Sequence, residues 1–161
     1  MVEPLLALNH QGKTIFRMSV NPQEIIQRIE LGTSSLESRI KAVNSMCDAG
    51  YPVGLLIAPV IFIPDWKQYY SDLIDQLSDQ LNQKVKKTAF LEIIFMTYSF
   101  VQNAINTEAF PGAIALYDKS LMTGRGRGKY CYRDSLRAEG ENFLREQLNK
   151  KLPEMKILYV V

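Results

Sequence analysis

Between Lys119 and Arg137 the chain places Lys119, Arg125, Arg127, Lys129, Arg133 and Arg137 against a single acid, Asp134. Mixed charge is the usual state of a protein surface, so a run of one sign marks a place that can meet an anion. Within the run, Gly124, Gly126 and Gly128 alternate with Arg125 and Arg127 in TGRGRGKYCY. Glycine-rich backbone with alternating basic side chains predicts a flexible hairpin tip whose charges follow a phosphate backbone. The bland alternative is a solvated basic loop. A second place for chemistry is the end of the apolar run Tyr51 to Ile63, YPVGLLIAPVIFI. Ligands of parallel α/β sheets gather beyond the carboxyl ends of the strands, which puts Ala58 and Pro59 at a ligand end.

Other reactive residue types are sparse. The chain has 2 cysteines, Cys47 and Cys131, no Cys-x-x-Cys, and 1 histidine, His10. No metal site can be assembled from that inventory by spacing. Cys47 falls on a helical apolar stripe and reads as core. Cys131, between Tyr130 and Tyr132 in a strand, points to the opposite face from both. His10 has no partner in view and reads as a surface residue, and Trp66 reads as a helix anchor rather than a base-stacking platform.

The elements that must position these residues follow from pattern. Lys13 to Val20 alternates as a strand does, with Ile15, Arg17 and Ser19 on one side and Phe16, Met18 and Val20 on the other. Asn21-Pro22 starts a short helix to Glu30. Ser34 or Ser35 caps a second helix from Leu36 to Ala49, whose Leu36, Ile40, Val43 and Cys47 form one stripe. Gly50 stops it, and the Tyr51 to Ile63 run follows as a β-branched strand, apolar on both faces and so covered on both. Strand, helix, strand in this order is a right-handed β-α-β unit.

Farther on, Asp65 is expected to cap a third helix through Leu81, with Lys84, Lys86 and Lys87 at its negative end. Thr88 to Met96 is a second buried strand, in which Glu92 is either solvated at a strand end or held by a partner. Tyr98 to Ala109 reads as helix. After the basic hairpin, Asp134 or Ser135 caps a helix to Lys151, and MKILYVV closes as a strand. The fold class is therefore α/β with parallel strands.

Composition agrees with a globular protein: 161 residues, 47% hydrophobic and 22% charged, suit one domain with a sizeable core and exclude disorder and membrane association. The net charge of +2 is too small to argue for nucleic acid by itself, so the placement of charge decides. The N-terminal MVEPLLALNHQGK lacks a basic n-region, a long h-region and a cleavage site, giving the expectation of a cytoplasmic protein with reduced thiols.

FRMSVNPQEIIQRIELGTSSLESRIKAVNSMCDAGYPVGLLIAPV together with GRGKYCY resembles the spore photoproduct lyase family, radical S-adenosylmethionine enzymes that revert a thymine-thymine photolesion in DNA. The resemblance runs over residues 13 to 161 and corresponds to the C-terminal part of that family, a partial (β/α) barrel. It implies barrel units over 13 to 112, and a DNA-facing hairpin, helix and last strand over 113 to 161. By the same resemblance Ser19 contacts the ribose or amino-acid part of S-adenosylmethionine, the backbone of Ala58 meets the adenine, and Lys129 faces DNA with Arg125 and Arg127 as neighbours. The family's [4Fe-4S] cluster sits on a Cys-x3-Cys-x2-Cys loop that this chain does not contain. The chain thus reads as half an active site, completed by an N-terminal half or a separate cluster-bearing polypeptide. The alternative is a catalytically silent remnant that binds DNA or docks a partner. A half barrel also leaves its first strand with an unpaired edge, which invites self-association.

Overall fold

The computed structural model describes residues 2–161. Its elements run α1 (Glu3–Leu6), β1 (Phe16–Val20), α2 (Gln23–Arg28), α3 (Leu36–Asp48), β2 (Val53–Val60), α4 (Trp66–Gln80), α5 (Gln83–Thr88) and β3 (Phe90–Phe95). They continue with β4 (Thr97–Ser99), α6 (Phe100–Ala109), β5 (Met122–Gly126), β6 (Lys129–Tyr132), α7 (Asp134–Lys151) and β7 (Lys156–Val160). Two sheets result. The first is parallel, in the order β1-β2-β3-β7; the second is antiparallel, in the order β4-β6-β5.

Alternation along the parallel strands separates two faces. Val53, Leu55, Ile57, Leu91 and Ile93 are almost fully buried on the helix-covered side, where each large aliphatic chain adds about 1.5–3 kcal/mol over the exposed state. On the other side Leu56, Ala58, Phe90 and Ile94 are only half-buried. The expectation of cover on both faces of β2 is corrected accordingly: helices close one face and this chain leaves the other partly open, as the inner face of an incomplete barrel must be. Gly54 sits on that inner face because the Phe90 ring crosses it, and a Cβ there would lie 2.4 Å from two ring carbons.

Several local expectations change. Asp65 stands at the start of α4 with φ 61 and makes no side-chain cap bond, so it turns the chain instead of capping it. Lys84, Lys86 and Lys87 lie on the separate helix α5, capped by Asn82, whose side chain accepts from the Val85 N–H. Thr88 belongs to that helix and not to the strand. Tyr98 is in β4, and Ser99 caps α6, so the helix starts two residues later than its pattern suggests. α7 opens at Asp134 with Arg133 at the cap position and no side-chain cap bond.

Others hold. Ser35 caps α3 by accepting from the Ser38 N–H, Cys47 is core, and Trp66 packs edge-on against Phe62 and Phe143. His10 does have company: its ring stacks on Tyr51 at 3.8 Å and Nδ1 accepts from the Gly12 N–H.

Candidate functional site

The carboxyl ends of β1, β2 and β3 converge on one end of the parallel sheet. Ser19 pairs with Leu56 and Val20 with Ile57, so Ala58 lies on the same face as Ser19, one pleat farther along the neighbouring strand. The Ala58-Pro59 bond is cis, and the register with β3 shifts between Ile57 and Val60. β3 then runs almost directly into β4, with the Met96 N–H donating to the Val60 carbonyl, so the hairpin sheet grows out of this same end.

Ser19 is positioned by a residue that sequence reasoning missed. Arg39, on α3, is buried and directs its guanidinium into the β1–α3 connection. Nη1 donates to the Ser19 carbonyl and Oγ, both at 3.3 Å; Nε donates to the Ser34 carbonyl at 2.9 Å. Nη2 donates to Glu30 Oε2 at 2.6 Å and to Thr33 Oγ1 at 2.8 Å. The planar fork with several fixed donors is what lets one arginine tie a strand end to a loop and a helix. Glu30 in turn accepts from Asn21 Nδ2 at 2.6 Å, while Asn21 Oδ1 is buried without a partner. The only sequence trace of this cluster is a charged residue beside Ile40 on the apolar stripe of α3.

Glu92 is buried at 3% exposure and is held by a partner, Arg17, on the strand two places away. The carboxylate, and to a lesser degree the Tyr159 hydroxyl at 3.4 Å, hold the Arg17 guanidinium above its ordinary pKa. This pair spans the inner face beneath the Ser19 end.

The exit of β2 is fixed by two phenols. The Ile61 N–H donates to the Tyr70 hydroxyl at 2.8 Å, and the Phe62 N–H donates to the Tyr132 hydroxyl at 3.1 Å. Burial pushes both phenols up, Tyr132 to about 12 and Tyr70 farther, so both are neutral at ordinary pH.

In the hairpin, Gly126, Arg127 and Gly128 all have positive φ, at 81°, 53° and 69°. Arg127 therefore occupies the tip in a left-handed conformation that costs a non-glycine residue about 1–2 kcal/mol. No hydrogen bond or ion pair engages the side chains of Arg127 or Lys129 among the described residues. Arg125 differs: its Nε donates to Cys131 Sγ at 2.8 Å, with Asp134 at 3.9 Å, and the thiol is the larger cause of its raised pKa. Cys131 thus lies on the face opposite Tyr130 and Tyr132, as strand alternation requires.

The residues suit the nucleoside of a polar cofactor better than they suit a metal cluster. A hydroxyl at Ser19 and an unfilled acceptor at Asn21 Oδ1 stand at the strand ends. In contrast, no group of three or more His, Cys, Asp or Glu is placed to hold a metal ion among the described residues, and three thiolates cannot come from 2 cysteines.

Parallel strands backed by helices on one face, with a basic hairpin rooted at their carboxyl ends, define the C-terminal half of a partial (β/α) barrel. The model of the spore photoproduct lyase family matches residues 1–161, and the chain belongs to that family. It is 32% identical over 162 residues to spore photoproduct lyase of Geobacillus sp., covering 98% of this chain and 48% of that one. Spore photoproduct lyase of Bacillus subtilis is also 32% identical, over 166 residues, with 98% and 47% covered. A solved structure of spore photoproduct lyase complexed with dinucleoside spore photoproduct superposes with a TM-score of 0.90 at 28% identity, covering 99% of this chain and 48% of that one. A variant with bound AdoMet and dinucleoside spore photoproduct gives 0.87 at 29% identity, with 99% and 47% covered. The chain therefore spans about half the length of the curated relatives it matches. Among the described residues no helix is long and apolar enough to cross a membrane.

Proposed function

We propose that this chain is the C-terminal portion of a DNA-repair lyase of the spore photoproduct type, supplying the nucleoside wall of the cofactor pocket and the DNA-facing hairpin. Residues 1–161 act as one unit, with barrel segments to 112 and the hairpin, helix and last strand after it. The observation that carries the reading is the gathering of Ser19, Ala58 and the root of the basic hairpin at one end of one parallel sheet.

S-adenosylmethionine, when bound, supplies the radical that abstracts hydrogen from the lesion in this family. The chain's own part is to bind and orient. Ser19, aimed by Arg39, offers its hydroxyl to the ribose or amino-acid part, and Ala58 offers backbone to the adenine at the edge of the half-buried inner face. Leu56, in register with Ser19 on the same half-buried face, keeps water from that wall. Arg125, Arg127 and Lys129 hold the phosphates flanking the lesion, which has to leave the stack to be reached. The [4Fe-4S] cluster does not fit the residues present; its ligands belong to an N-terminal half or a separate polypeptide.

DNA affinity measured across salt concentrations tests the hairpin. Each phosphate neutralised contributes roughly −0.9 to the slope of log K against log salt, so Arg125→Ala/Arg127→Ala/Lys129→Ala should flatten it by about 2–3 units. An unchanged slope removes the hairpin from the reading. The second reading is a catalytically silent remnant that binds DNA or docks a partner. A protein that binds DNA yet shows no stabilisation by S-adenosylmethionine would support it.

A further inference from the structure

The hairpin sheet has two unlike faces, and the DNA reading uses only one. In register, Thr97, Cys131 and Thr123 form one row, and Tyr98, Tyr130 and Gly124 form the next. Strand alternation therefore sends Arg125, Lys129 and Cys131 to one side and Tyr98 and Tyr130 to the other. Gly124 leaves its place on the second side empty, and the Tyr130 ring passes near it.

The aromatic face continues into α6. The Phe100 N–H donates to the Gly128 carbonyl at 3.5 Å, which seats this residue beside the hairpin turn. Its ring lies 5.2 Å from Tyr98 and 5.3 Å from both Tyr117 and Tyr130, mostly edge-on. Yet Phe100 is 49% exposed, and no residue of α6 is buried. Among the described residues no hydrogen bond engages the hydroxyls of Tyr98, Tyr117 or Tyr130. A set of rings packed around a residue that keeps half its surface in solvent is not a finished core. The turn to which Phe100 is bonded carries Arg127 at its tip, next to Gly128, and no ion pair engages that guanidinium among the described residues.

We propose that Phe100, braced by Tyr98, Tyr117 and Tyr130, is a stacking platform for an unpaired nucleobase. The proposal rests on the reading of the hairpin as DNA-facing and assigns the other side of the same blade. One face follows the phosphates; the other receives the flat face of a base that has left the duplex. Aromatic side chains beside a cationic track are the usual means of holding single-stranded bases without regard to sequence, because every base has a π face. The charge of the adjoining turn favours a nucleic acid over an apolar protein segment as the occupant of this surface.

The test uses the whole chain and three short DNAs: a single strand, a fully paired duplex, and a duplex with 2-aminopurine opposite an abasic site. The parent chain should quench 2-aminopurine and prefer the unpaired substrates over the paired one by about tenfold, the scale of one base-aromatic stack. Phe100→Ala should bring that ratio close to one while leaving the salt slope intact. Phe100→Leu, which retains apolar packing and the fold by circular dichroism, should behave like Phe100→Ala; Phe100→Trp should preserve the preference. Arg127→Ala/Lys129→Ala should do the reverse, lowering the slope and sparing the ratio. If Phe100→Leu keeps the preference, or the parent chain shows none, the platform is overturned while the phosphate reading stands. If the parent chain binds no DNA even at low salt, both fall together.

Discussion

Removing Glu30 is the sharpest way to test whether the Ser19 end is assembled as described. Its side chain is 17% exposed and faces an Arg39 guanidinium whose side chain is 5% exposed. Deleting one member of a buried pair costs about 3–5 kcal/mol because the other is left charged and uncompensated, and the partial exposure of Glu30 places this pair near 3. Glu30→Ala also strips the Asn21 amide of its acceptor, adding about 1 kcal/mol. A total near 4 kcal/mol corresponds to a fall in Tm of roughly 8–16 °C for a domain of this size.

Urea denaturation of the parent, Glu30→Met, Arg39→Met and Glu30→Met/Arg39→Met completes a cycle, with Glu30→Ala measured beside it. The double variant should recover most of the loss, since replacing an ion pair by apolar groups of similar volume is often close to neutral. Arg39→Lys keeps the charge but not the fork, and should fall between parent and Arg39→Met. A loss below about 1 kcal/mol for Glu30→Ala, against the 3–5 typical of a broken buried pair, would show that water, not Glu30, holds Arg39, and would refute the clamp.

Tyr132→Phe should cost about 1–3 kcal/mol by orphaning the Phe62 N–H. The raised phenol pKa also makes the parent lose stability as pH climbs from about 10 to about 12, because the unfolded chain ionises first; urea melts across that window should be flatter in the variant, and equal slopes would contradict the burial. Gly54→Ala forces a Cβ into the Phe90 ring and should cost about 1–3 kcal/mol, relieved by adding Phe90→Leu; thermal melts without such rescue would place the strain elsewhere. Arg127→Gly should stabilise the hairpin by up to about 1 kcal/mol while removing roughly one unit of salt slope, and a destabilised variant would argue against strain at the tip. β1 ends the sheet, and since the Phe16 N–H donates to the Pro52 carbonyl, alternation leaves the Arg17 and Ser19 N–H groups facing outward. Light scattering should therefore show mass rising with concentration, and a monomer of 18.4 kDa throughout would count against an adhesive edge.

What the sequence made legible was whatever leaves a local period or a turn chemistry. The apolar runs of β2 and β3, the stripe of α3 and the glycine-spaced hairpin all do so, and the first and last of these place Ala58 near a strand end and Arg125, Arg127 and Lys129 in a hairpin. The β4 strand is three residues long and exists only because β6 pairs with it, so its own residues read as the start of a helix. Glu92 could be recognised as needing a partner, but that partner lies 75 residues away across an intervening strand. Arg39 sits on a stripe otherwise apolar, where charge suggests the margin of a core and not a clamp within it. The Tyr70 and Tyr132 hydroxyls end on backbone N–H groups, which every residue has, so nothing in the sequence marks their targets.

The two phenols at the exit of β2 make adjacent amides report on different parts of the protein. Ile61 is tethered to α4 and Phe62 to the hairpin, although a single peptide bond separates them. Hydrogen exchange at Phe62 should follow the seating of β6, whereas exchange at Ile61 should follow the integrity of the helical layer. A force applied to the hairpin from outside reaches the end of β2 through the Tyr132 hydroxyl as well as through the Met96–Val60 hydrogen bond. The sheet itself need not shift for the end of β2 to register a displacement of the hairpin.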